Sequence, residues 1–255
     1  MILPALTPWL QLLLVLARVL SFLTTAPLFN RRQIPPLSKI GLAMLLSLIV
    51  VAAGGVSVER EIGAFLSAVV LEVATGLAAG MLANWLFMSF QMGGALMDQQ
   101  AGFGTAAIFD PTTFGQVSLL SNLFLMLSLL LFLELNGHHL ALLALLRSFT
   151  LVPAGSAVLG GSWAQVVLTV LAGSMSLALR LAAPVLAAVA ITDITLGMLG
   201  RAVPQLNVLM LALPVKAGVA LLVLAAASPL ILGVGDAFMT RLEVILAQSL
   251  GAMSP

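Results

Sequence analysis

The chain has 255 residues, of which 62% are hydrophobic and only 7% charged, with a formal net charge of +1. Soluble domains carry about 25% charged residues, so this chain cannot cover a water-facing surface, and its small net charge gives no reason to expect nucleic acid as a partner. The absence of Cys removes any disulfide framework or thiolate metal site.

Composition therefore predicts an all-α, multi-pass membrane protein. Six apolar stretches follow in chain order, at 6–29, 40–53, 62–92, 117–146, 165–199 and 208–232. The first has no basic residue ahead of it, and its first charge, Arg18, lies inside the run. That pattern points to an uncleaved membrane segment rather than a removed signal peptide. A perpendicular crossing needs about 20 apolar residues. The second stretch is short for that, while the third and fifth are far too long. The fourth is interrupted by Asn136-Gly137-His138-His139, a turn signal. The fifth contains Pro184, whose missing N–H and bulky ring predict a kink near 182–183.

Charges within the apolar runs are Arg18, Glu72, Glu134, Arg180 and Asp193. Each costs about 2.5–3.5 kcal/mol if it faces lipid at mid-bilayer. They are expected to pair with one another or with partner subunits. Long, bent, charge-bearing segments suit helical hairpins packed among other proteins better than a free-standing six-helix bundle.

Between 93 and 116 the sequence breaks into GGALMDQQAGFGTAAIFDPTTFGQ, a Gly-rich connector without a basic residue. Irregular backbone at membrane depth survives only against other protein or a water-filled cavity. Gly93, Gly94, Gly102 and Gly104 are expected to loosen it, and Phe103, Phe109 and Phe114 supply bulky apolar groups. Asp110-Pro111-Thr112-Thr113 is a turn or helix-start signal ahead of Gln116. Such a connector can fill an opening and swing aside cheaply. The plainer alternative is an ordinary inter-helix loop at the membrane surface.

Signals for catalysis are thin. Gly233-Val234-Gly235-Asp236 spells the string of intramembrane aspartyl proteases, with Asp193 as the only available second carboxylate, but the chain has no Tyr to accompany it. Glu134 and His138 stand at i,i+4 beside His139, without a third ligand nearby, and Asn136-Gly137 interrupts the helix they would share. The sequence predicts neither an enzyme nor a bound cofactor or metal. A six-helix secondary transporter for a small solute is the alternative, with Glu72, Arg180 and Asp193 coordinating substrate or protons near the midplane.

The connector GGALMDQQAGFGTAAIFDPTT followed by Gln116, the turn NGHH, the later RAVPQLNVLMLALPVKAGVALL and the early PPLSKIGLAMLLS together resemble the FliR family of type III export-gate membrane proteins. The similarity runs collinearly over nearly the whole chain. It implies kinked helical hairpins packed with FliP and FliQ into a right-handed helical export-gate assembly, with FlhB and FlhA as further partners. It also implies a bacterial inner-membrane location at the flagellar basal body, and unfolded flagellar proteins as substrates. Residues 1–183 would be a FliP-like part and 184–255 a FliQ-like hairpin. The family's pore plug maps onto about 104–116, so that Phe103, Gly104, Ile108, Phe109, Asp110, Pro111, Phe114 and Gln116 are its expected residues. Arg201, Gln205, Asn207 and Lys216 would mark the cytoplasmic-side turn of the last hairpin.

Overall fold

In the computed structural model the described residues are 7–31, 33–54, 62–103, 118–158, 160–205 and 207–254. They form eight α-helices and no strand. These are α1 (Thr7–Thr25), α2 (Pro36–Ala53), α3 (Ile62–Ala101), α4 (Leu119–Glu134), α5 (Gly137–Leu151), α6 (Gly161–Ala202), α7 (Val208–Ala226) and α8 (Ser228–Met253). Four of them, α1, α2, α3 and α6, are long and apolar enough to cross a membrane. The expected all-α membrane fold is therefore what the chain adopts.

Element boundaries follow local chemistry. Pro35 and Pro36 open α2, because a proline lacking N–H costs nothing in a first turn. Asn136 adopts the left-handed conformation (φ 55°) and separates α4 from α5, as the Asn-Gly pair predicted. The Asn207 side chain accepts from Met210 N–H and caps α7.

One boundary differs from the sequence reading. The α3 helix, 40 residues long, runs straight through Gly93 and Gly94 to Ala101, so the first third of the expected loop is helix. The α6 helix continues unbroken across Pro184. Gly233-Val234-Gly235-Asp236 lies inside α8. At Gly93 and Gly94 close packing outweighs a weak local penalty; a glycine costs a helix only about 1 kcal/mol relative to Ala.

The helices form two compact units, interleaved along the chain. The first comprises Met1–Leu86, Phe132–Leu171 and Phe238–Pro255, and the second Phe87–Leu131 and Ala172–Ala237. This division concerns contacts within the chain and differs from the split at 183/184 drawn from family resemblance.

In the first unit Leu14, Val15, Val19, Phe22 and Leu23 of α1 are buried, with Leu82 and Leu86 of α3 and Leu242 and Leu246 of α8. The α1 and α3 helices approach closely because Gly76 and Gly80 offer no side chain to one another's neighbours: a Cβ at Gly76 would lie 2.3 Å from the Arg18 carbonyl oxygen, and one at Gly80 would lie 2.9 Å from that of Phe22. This is the small-xxx-small contact by which membrane helices gain van der Waals packing where hydrophobic driving force is absent. In the second unit the core is Phe87, Phe90 and Met97 of α3 with Leu120 and Phe124 of α4 and Leu181 and Val185 of α6.

Candidate functional site

Within the second unit α3 and α4, the helices on either side of residues 104–117, meet at one carboxylate. Asp98, in the last turn of α3, is 3% exposed. Its Oδ1 accepts from Leu120 N–H (2.9 Å) and its Oδ2 from Ser121 N–H (3.0 Å), at the first turn of α4. The initial N–H groups of a helix have no intrahelical partner. A carboxylate there satisfies two of them and sits at the positive end of the helix dipole. Ser121 Oγ in turn donates to the Gln91 carbonyl (3.0 Å). The contact is tight because Gly94 lacks a side chain: a Cβ there would fall 2.5 Å from the Leu120 carbonyl oxygen.

The stalk leading into the connector is held by a second polar group. Gln100 Nε2 donates to Asp193 Oδ2 of α6 (3.4 Å), and Lys216 of α7 forms an ion pair with the same carboxylate. Gly102 closes α3 with φ +85°, a left-handed value open to glycine, beside Leu213 of α7. Phe103 follows, half-buried. The other expected plug residues, Gly104, Ile108, Phe109, Asp110, Pro111, Phe114 and Gln116, lie outside the described residues.

The intramembrane charges divide into two settings. In the first unit Arg18 and Glu72, 1% and 0% exposed, form a bidentate pair with Nε–Oε2 2.7 Å and Nη2–Oε1 2.8 Å. Arg18 Nη1 also donates to the carbonyls of Ser148 (3.1 Å) and Val152 (2.9 Å), and so caps the C-terminus of α5. Glu72 Oε1 accepts from Gly155 N–H (2.8 Å), and the guanidinium lies 4.4 Å from the Phe149 ring centroid. Each side-chain nitrogen of Arg18 and each carboxylate oxygen of Glu72 has a protein partner. Arg180 and Glu134 are exposed on α6 and α4. Arg201, Gln205 and Asn207 are exposed around the α6–α7 turn, whereas Lys216 lies more than two turns inside α7 on Asp193. His139 is exposed, and among the described residues no group of three or more acidic or His side chains converges as a metal site.

Sequence reading singled out Arg18, Glu72, Asp193 and Lys216 but passed over Asp98, Gln100 and Ser148. A cap supplied from 22 residues away leaves no local pattern, since capping signals are read three residues from the helix start. The sole hint was an acid beside two glutamines, Gln99 and Gln100, at the end of a long apolar run.

A model of the family described as bacterial export proteins, family 1, matches residues 9–242. The flagellar biosynthetic protein FliR of Bacillus subtilis is 31% identical over 216 residues, covering 83% of each chain. That of Escherichia coli is 31% identical over 221 residues, 85% of this chain and 83% of its own. The chain belongs to the FliR family of bacterial export proteins. A Yersinia pestis relative of this FliR-family chain, the Yop proteins translocation protein T, is 28% identical over 223 residues, 85% of each.

For the FliR-family site we expect Asp98→Ala to cost about 1–2 kcal/mol, since two buried N–H groups lose their acceptor. Asp98→Asn, which keeps one acceptor oxygen, should fall between. Thermal unfolding of the detergent-extracted protein reads this directly; equal midpoints for all three would remove Asp98 as a structural clamp.

Proposed function

We propose that this chain is a channel-forming core subunit of the flagellar type III protein-export gate, in the bacterial inner membrane at the basal body. It assembles with FliP and FliQ, works beside FlhB and FlhA, and passes unfolded flagellar proteins through a narrow pore. It carries out no catalysis and holds no cofactor; energy comes from its partners. The 104–116 connector seals the pore at rest.

The observation that carries this reading is the Asp98 joint. The helices flanking this Gly- and Phe-rich connector are joined at one buried carboxylate, which gives it the fixed base that a seal requires. The names of the relatives support the export setting, and α3 and α6, each about twice the length of one crossing, suit packing against other subunits. The expected positions of Arg201, Gln205 and Asn207 towards the cytoplasm belong to the same proposal.

The small-solute transporter loses support from the side chains it would use. Glu72 is spent on Arg18 and Gly155 N–H, and Asp193 on Lys216 and Gln100. Deleting residues 104–113 tests the seal: assembly should persist, and cells or reconstituted vesicles should leak small ions. Conductance equal to that of the intact protein would refute the sealing role.

A further inference from the structure

On the first unit, a groove of about 440 Å³ runs between α5 and α8. One face of α5 lines it with Asn136, His139, Leu143 and Arg147, spaced three and four residues apart; α8 contributes Glu243 and Leu250. Its floor is leucine. Its rim carries Arg147 and Glu243, both exposed, opposite in charge and not paired with each other, in a chain only 7% charged.

Their register explains why they stay apart. Gly137 faces Met239, and Ser148 shares a small cavity with Leu250, so α5 and α8 run parallel. Glu243 is then level with about residue 141, some 9 Å along the groove from Arg147 at 1.5 Å per residue. Two separated opposite charges above an apolar floor present complementary ends to one amphiphile bearing both signs.

The groove is open along one side, and Leu140, Leu143, Leu246 and Leu250 line it alongside the two charged residues. An open apolar trough with a charge of each sign on its rim suits a hydrocarbon chain that carries a dipolar head.

We propose that this groove binds one zwitterionic phospholipid with a primary ammonium headgroup, its phosphate on Arg147, its ammonium on Glu243 and an acyl chain along the leucines. Arg147 offers a planar fork of N–H donors suited to a phosphate. Glu243 rewards an ammonium with N–H donors and repels a headgroup of net negative charge, which is how the site tells lipids apart. A trimethylated ammonium lacks those donors and binds less well. Leucine walls gain from each methylene they cover.

Native mass spectrometry of the assembled complex extracted from membranes tests this, with titration of phosphatidylethanolamine, phosphatidylglycerol and phosphatidylcholine. One bound phosphatidylethanolamine per copy of this chain is expected, in preference to the other two. Arg147→Gln should weaken it by about tenfold, the scale of a charged hydrogen bond. Glu243→Gln should reverse the preference towards phosphatidylglycerol, an effect that lost folding cannot imitate. A photo-crosslinking residue at Leu143 should label lipid. Equal retention of all three lipids, indifference to both substitutions, or a crosslink to a protein chain instead of lipid would each overturn the proposal.

Discussion

Replacing Arg18 with Leu should destabilise the protein by about 3–5 kcal/mol, the range for removing one partner of a buried ion pair. Glu72 would be left charged at 0% exposure, with Gly155 N–H as its remaining partner. The carbonyls of Ser148 and Val152 would lose their donor at the end of α5 as well. Arg18→Lys should recover only part, because an ammonium cannot hold a carboxylate bidentately and reach two carbonyls at once. Arg18→Leu combined with Glu72→Leu should also recover part: the stranded charge is gone, but the capped carbonyls and Gly155 N–H stay unsatisfied. Denaturation midpoints in detergent, or the amount of folded complex recovered from membranes, measure the series. If the single Arg18→Leu variant matched the parent, the network would have no structural weight.

The second large effect is expected at Gly76. Valine there would drive its Cβ to 2.0 Å from Ser21 Oγ and 2.3 Å from the Arg18 carbonyl oxygen. The hydroxyl can rotate away, but the carbonyl belongs to α1 backbone and moves only if the helix moves. Overpacking costs about 1–3 kcal/mol. Displacing α1 also pulls Arg18 from Glu72, so Gly76→Val and Arg18→Leu should be clearly non-additive when combined. Gly41→Ala is the control, with nothing within 4 Å of the added atom; it should be neutral or slightly stabilising. Simple additivity of the two substitutions would show that the glycine contact and the ion pair are independent.

What could be read without coordinates was the set of apolar runs and their punctuation at Pro36 and Asn136, because those signals are local. The helical class followed from composition. Helix continuity through Gly93 and Gly94 did not, because glycine reads as a breaker until its close neighbours are known; here a Cβ on Gly93 would be 3.1 Å from the Ala178 carbonyl oxygen and one on Gly94 2.5 Å from that of Leu120. Pro184 and Pro214 both sit inside continuous helices. Charges were recognisable as costly, which is a statement about burial, but their partners were not. Arg18 meets Glu72 across 54 positions and Val152 across 134, and Asp98 reaches Leu120 across 22. Such pairings are set by how helices cross, and no periodicity encodes them.

The span of the Arg18 network bears on how the chain is made. Ribosomes add about 5–20 residues per second. The guanidinium therefore leaves the tunnel roughly 3–11 s before Glu72 does, and some 7–27 s before Val152 does. Throughout that interval the first helix carries a naked cation that the bilayer interior penalises. A nascent chain arrested before Glu72 lacks the carboxylate that Arg18 grips in the folded chain, so the docking of α1 seen here must await α3, and the grip on α5 closes last.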